Sequence, residues 1–208
     1  ACVSAHAAIE KACDLLGIRL IKIPMDPDTY QLNVRAMESA ITPNTIMLYA
    51  SAPTFPQGVI DDIEAVGKLA RKYDTGLHVD CCLGGFVLPF AKKLGYPIPN
   101  FDFGVPGVTS MSVDTHKVRL MSFCFEACFM KCASDCVVCA ATCRQYGYAL
   151  KGTSVVLYRN KELRHHQFFC YADWVGGLYA TPTIAGSRSG GVIAATWASL
   201  VSCRAFSC

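Results

Sequence analysis

Two strand-like stretches of the chain end on residues able to do chemistry. Asp80 closes the run GLHV (76–79) and is followed by the pair Gly84-Gly85, while Asp114-Thr115-His116-Lys117 closes VTSMSV (108–113). A carboxylate at a strand end either faces a ligand or serves a turn or helix cap. A lysine there is a solvated cation on an open surface, but in a dry cleft it can lose its proton and attack a carbonyl to give a Schiff base. Adjacent glycines let backbone or ligand approach where a Cβ would intrude.

These groups need a scaffold, and the surrounding pattern supplies one. Ala7, Ile9, Ala12, Leu15 and Leu16 recur near helical period, after which 19–25 (RLIKIPM) reads as a short extended run. Residues 32–41 look helical and 45–50 (TIMLYA) strand-like. Pro53, Pro56 and Gly58 then break the chain before Asp61 and Asp62 open another helix, where acidic side chains suit the positive end of its dipole. Ile63, Val66, Leu69 and Ala70 mark that helix's buried side. Alternation of this kind predicts an α/β fold with a mostly parallel sheet flanked by helices, and ligands at the carboxyl ends of its strands.

Bulk properties narrow the class. The 208 residues carry 52% hydrophobic and 17% charged residues with a formal net charge of +3, enough apolar content for a closed core. No run of like charge tracks a phosphate backbone, so nucleic acid is not an expected partner. Apolar stretches such as 86–91 fall far short of the roughly 20 residues a spanning helix needs, so no membrane span is expected here. The opening ACVSAHAAIEKA starts in mid-pattern and reads as a fragment.

A lysine at one strand end and a carboxylate at another are what pyridoxal phosphate requires: an amine for its aldehyde and an acid opposite its pyridinium nitrogen. Five segments then carry a specific resemblance. SAHAAIEKA (4–12), HVDCCLGGF (78–86), VTSMSVDTHK (108–117), YGYALKGTSVVLY (146–158) and TPTIAGSRSGG (181–191) resemble, in this order, the sphingosine-1-phosphate lyase family, in the decarboxylase-like group of pyridoxal-phosphate enzymes of fold type I. The resemblance implies Lys117 as the Schiff-base lysine, Asp80 as partner of the ring nitrogen, His6 stacked on the ring and His116 near the cofactor phosphate. It implies Tyr146, Tyr148 and Lys151 on the substrate side. Gly186, Ser187 and Arg188 would complete the neighbouring subunit's site, hence a homodimer. The implied reaction is a retro-aldol cleavage of a phosphorylated sphingoid base to a long-chain aldehyde and phosphoethanolamine, at the endoplasmic reticulum membrane in the full-length family member. Amino-acid decarboxylation uses the same cofactor setting and stays open on the residues alone.

This sequence departs from the family in places. Cys81 stands where the family has an alanine packed close to the ring, and Leu150 and Ser189 replace two loop prolines. The family's phosphate loop before His6, its membrane anchor and its small C-terminal domain are not matched, so weak cofactor retention and an inactive fragment are expected. The large domain is assigned to 1–117 and 146–200, with a tail at 201–208.

Residues 118–145 interrupt the match, since removing them restores VDTHK-YGYALKG. They include CFEACFMKCASDCVVCAATC (124–143), six of the chain's thirteen cysteines. A zinc site wants two ligand pairs, yet only Cys136 and Cys139 make a C-x-x-C and the segment has no histidine. A disulfide framework suits a secreted chain rather than this fold. The reading adopted is translated intron: Val118 and Gln145 can encode donor and acceptor ends, and the length is a whole number of codons. No metal is expected.

Overall fold

The computed structural model describes residues 1–117, 149 and 152–204. The predicted substrate-side residues Tyr146, Tyr148 and Lys151, the segment 118–145 and the end of the tail lie outside the described residues.

Along the chain, α1 (Ala8–Leu15) and α2 (Val34–Ala40) precede β1 (Met47–Ser51), and α3 (Ile63–Lys72) leads to β2 (Gly76–Asp80). After α4 (Leu88–Lys93) come β3 (Val108–Val113) and β4 (Val155–Tyr158), then α5 (Lys161–His165), the hairpin β5 (Phe169–Tyr171) and β6 (Tyr179–Thr181), and α6 (Gly190–Arg204). The main sheet has the order β1-β2-β3-β4, with β1, β2 and β3 parallel and β4 antiparallel to β3. The strand expected at 108–113 is found there, the one expected at 76–79 extends one residue further to Asp80, and β1 starts two residues and ends one residue later than the expected 45–50.

Local chemistry sets these elements. Asp62 caps α3 by accepting from the Ala65 N–H at 2.9 Å, and Arg71 and Lys72 occupy the last turn, where the dipole favours cations. Asp61 does something other than favour the dipole. It is buried and accepts from the backbone N–H of Leu32 and of Ser51, each at 2.8 Å, tying the α3 entry to the end of β1 and to the loop before α2. Burial raises its carboxyl above the usual range, against the pull of those two bonds. Asn33 caps α2 in the same manner as Asp62 caps α3.

The two faces of the sheet differ. Leu48, Ala50, Leu77, Val79, Met111 and Val113 join Ile63, Val66 and Leu69 of α3 in one core. Each full burial of this kind contributes about 1.5–3 kcal/mol. Alternation places Tyr49, Ser51, His78, Asp80, Ser110 and Ser112 on the other face, which makes it polar. Arg159 fixes the far end of the sheet, donating to the carbonyls of Val108, Phe103 and Val105.

The expected extended run 19–25 is not a strand of the sheet. It forms two isolated bridges, Cys2 with Ile23 and Met25 with Leu32. Pro24 between them has no N–H to continue a ladder, and its carbonyl accepts from Asn33 instead.

Candidate functional site

The parallel register puts Ser51 beside Asp80 and Asp80 beside Ser112, so three strands end together at one edge. Asp80 is 7% exposed and both of its oxygens are engaged. Oδ2 accepts from the Tyr49 hydroxyl at 2.6 Å, and Oδ1 accepts from the Ser112 hydroxyl and the Cys82 backbone N–H, each at 3.0 Å. Burial disfavours the charge, but these donors outweigh it and hold the carboxyl below its ordinary range. Burial, then the Asp80 charge and bond, raise the Tyr49 phenol far above its usual range, so that hydroxyl remains a donor.

Two residues past β3, Thr115 bonds Thr153 at 2.8 Å, and the chain turns so that His116 and Lys117 make separate contacts. His116 Nδ1 donates to the Thr153 carbonyl at 2.8 Å. Lys117 Nζ reaches Asp114 Oδ2 at 2.7 Å, with 28% of its side chain exposed. Burial favours the neutral amine, but the Asp114 bond and the Cys82 thiol outweigh burial and leave the ammonium favoured. Cys82 thus links the two predicted residues, because its thiol interacts with both Asp80 and Lys117. Burial and the Asp80 charge push that thiol up to about 11 against the Lys117 charge, so it is a protonated, weak donor.

This corrects the expectation for Cys81. Its side chain is fully buried in the hydrophobic core, on the opposite side of the strand end, and Cys82 is the sulfur of the site. The Gly84-Gly85 pair also has a defined use: a Cβ at Gly84 would collide with the Ala52 carbonyl and one at Gly85 with the Val113 side chain. The close approach is made by the protein's own strand ends.

The remaining predicted residues divide. His6 accepts from the Ala8 N–H at 3.1 Å through Nδ1, at the start of α1, and sets its ring edge against Phe55 in the loop after β1, at 6.2 Å between centroids. Gly186, Ser187 and Arg188 lie in the exposed stretch between β6 and α6. Thr181 donates to the Ala185 carbonyl and Gln167 to the Pro182 carbonyl in this stretch, and among the described residues no hydrogen bond or ion pair joins it to Asp80 or Lys117. Tyr49, His78, Ser112 and Cys82 were not singled out from sequence. Polar residues at alternating positions 78/80 and 110/112 of otherwise buried strands were the available signal. Among the described residues no group of three or more metal-binding side chains occurs, and Cys2, Cys13, Cys81, Cys82 and Cys170 are free thiols.

Comparison with known proteins defines the class. The chain belongs to the pyridoxal-dependent decarboxylase family, whose conserved domain matches residues 1–167. It is similar to the sphingosine-1-phosphate lyase of Dictyostelium discoideum, 50% identical over 200 residues that cover 96% of this chain and 33% of that protein. The rat sphingosine-1-phosphate lyase 1 is 48% identical over 95% of this chain and 30% of its own length. The solved sphingosine-1-phosphate lyase of Burkholderia pseudomallei aligns with a TM-score of 0.81 at 44% identity, over 97% of this chain and 40% of its own. A Lactobacillus brevis glutamate decarboxylase, TM-score 0.70 at 20% identity, shares the fold. The architecture is therefore that of part of the large domain of fold type I pyridoxal-phosphate enzymes, and the chain spans about a third of the length of these curated relatives.

Pyridoxal phosphate is the cofactor of this family, and the donor set fits it. An ionised carboxylate offers about four lone-pair positions. O–H and N–H donors take three at Asp80, and the fourth is held by nothing stronger than the weak thiol of Cys82, which a protonated ring nitrogen would displace. Lys117 supplies a primary amine one strand away.

Proposed function

We propose that this chain is the lysine-bearing part of a pyridoxal-phosphate-dependent carbon–carbon lyase that cleaves a phosphorylated sphingoid base to a long-chain aldehyde and phosphoethanolamine. The observation that carries the reading is the pairing of a multiply hydrogen-bonded, ionised Asp80 with the Lys117 amine at neighbouring strand ends, in a chain 50% identical to a sphingosine-1-phosphate lyase. When bound, the cofactor supplies an electron sink for the pair released by carbon–carbon cleavage. Lys117 would hold it through its amine, the extra proton going to Asp114 or to water. Asp80, remaining charged, would keep a proton on the ring nitrogen. Tyr49 and Ser112 keep that carboxylate in place, and His6 would pack on the ring. Tyr146, Tyr148 and Lys151 are assigned to the substrate side.

The same reading makes the protein a homodimer in which Gly186, Ser187 and Arg188 serve the neighbouring subunit, and places the full-length protein at the endoplasmic reticulum membrane. No helix among the described residues is long and apolar enough to cross a membrane. Residues 118–145 are assigned to translated intron, and sequencing of transcripts across the codons for Lys117 and Tyr146 tests that. Abundant message retaining the segment would sink it.

The function is tested on full-length protein lacking 118–145. Borohydride reduction followed by mass spectrometry should find the cofactor on Lys117, and Lys117→Ala should lose both the adduct and all turnover. An adduct on another lysine removes Lys117 from its role. Product analysis with a phosphorylated sphingoid base should yield aldehyde and phosphoethanolamine, whereas carbon dioxide from an amino acid would assign a decarboxylase.

A further inference from the structure

The polar face of the sheet holds a chain of hydrogen bonds whose direction can be worked out. Asp80 is ionised, so Oδ1 only accepts, and the Ser112 hydroxyl 3.0 Å away must point its one hydrogen there. That hydroxyl also meets His78 Nε2 at 3.1 Å. Having spent its hydrogen on Asp80, it can only accept from the imidazole, so Nε2 carries a proton. Burial keeps His78 neutral, against the attraction of Asp80. A neutral ring protonated at Nε2 has a lone pair on Nδ1, and the Ser110 hydroxyl 2.8 Å away must donate into it. Tyr49 closes the loop: its ring stacks on His78 with centroids 5.4 Å apart and planes 27° apart, while its hydroxyl binds the other oxygen of Asp80.

We propose that Ser110, His78 and Ser112 form a one-way hydrogen-bond relay that locks His78 as its Nε2–H tautomer and makes it a positioning residue for Asp80, the carboxylate that meets the cofactor's ring nitrogen. The assignment of Asp80 rests on the function proposed above; the tautomer does not. A chain of donors all aimed one way polarises each successive member and strengthens the last bond. The carboxylate is thereby fixed from β2 and β3 through the relay and from β1 through Tyr49, with each hydrogen in the chain assigned. A merely space-filling polar face would not require a single tautomer, since Ser–His–Ser contacts form equally well in either direction when nothing at the end is charged.

The test uses full-length protein with 15N-labelled histidine, the His78 signals being identified by their loss in His78→Gln. Long-range 1H–15N spectra should show the neutral Nε2–H form across about pH 6–8, the interval in which an ordinary histidine changes charge. Ser112→Ala, which removes the acceptor for Nε2–H and its link to Asp80, should admit the second tautomer, and Ser112→Thr, which keeps a hydroxyl, should restore the first, while Ser110→Ala should leave the Nε2–H form in place. An Nδ1–H ring or an imidazolium in the unmodified protein overturns the relay. A second arm follows the release of pyridoxal phosphate by absorbance. Ser112→Ala should speed release roughly tenfold, the worth of one hydrogen bond to a charged group. Release unchanged in Ser112→Ala and in His78→Phe, with the tautomer as stated, overturns the positioning role. Unmodified protein that never takes up pyridoxal phosphate defeats the proposed function instead, and the tautomer readout is unaffected.

Discussion

Leu77, Val79 and Val108 in the parallel strands are wholly buried, whereas Val175 and Ile184, after β5 and β6, are 102% and 93% exposed. Both stretches are rich in large apolar residues, but only the first closes a core with them. The parallel strands receive α3 on one face, so every second side chain finds apolar neighbours. In the hairpin the two strands are three residues each, and a lone ribbon of that length cannot bury a face. Trp174, Leu178 and Trp197 are also more than half exposed. The first region is self-sufficient in apolar contacts, and the second has surface to give to another chain, which the homodimer proposed above supplies.

The largest expected effect lies in the first region. Leu77→Ala removes a side chain that is 0% exposed, between α3 and the sheet, and should lower stability to urea by about 2–5 kcal/mol, depending on how far the site collapses. A loss under about 1 kcal/mol would mean this core is not the one that holds the fold.

Next comes the polar face of the same strands. Tyr49→Phe deletes one donor to a buried, ionised carboxylate and should cost about 1.5–3 kcal/mol, measurable in the same urea titration without cofactor. A neutral outcome would mean that Asp80 takes up its proton or finds water, and the two faces of the sheet would then differ less than their contacts suggest.

The second region is probed by association. Ile184→Asp places a charge beside the 186–188 loop and, if a second copy covers that surface, should weaken self-association of the full-length protein by about tenfold or more in sedimentation. Dimerisation unchanged by that charge would detach the exposed apolar residues from the homodimer.

The same division governs what could be read from the sequence. Strands β2 and β3 were legible because short apolar runs with abrupt polar ends define them locally. Asp80 and Lys117 were legible for the same reason, as residues at those ends. The run 19–25 misled because its apolar pattern is right for a strand but its neighbours are Ala1 and Asn33, and Pro24 interrupts the ladder. Tyr49 and Cys82 could not be assigned because their roles depend on register between strands 31 residues apart and on which way two adjacent thiols turn. His78 and the two serines were legible in principle: a period-two polar set inside buried strands has to satisfy itself.

The smallest effect is the pH dependence that His78 gives the first region, and its sign follows from burial. Burial holds the folded imidazole below its ordinary 6.5, against the Asp80 charge. An unfolded chain binds a proton there as pH falls through about 6.5 while the folded chain does not, so stability present above that pH is lost as pH falls toward the folded value. One proton sets a limit of about 1.4 kcal/mol per pH unit on the slope. The groups facing the ring do not share this window: Ser110 and Ser112 do not titrate, Tyr49 is pushed upward, and Asp80 is held below 3.8. His78→Gln should therefore flatten the urea-stability profile just below about pH 6.5 without changing the fall that protonation of the carboxylates brings at lower pH. Parallel profiles for the two proteins would mean His78 is charged or solvated in the folded state, and the polar face would then be no more enclosed than the hairpin it is contrasted with.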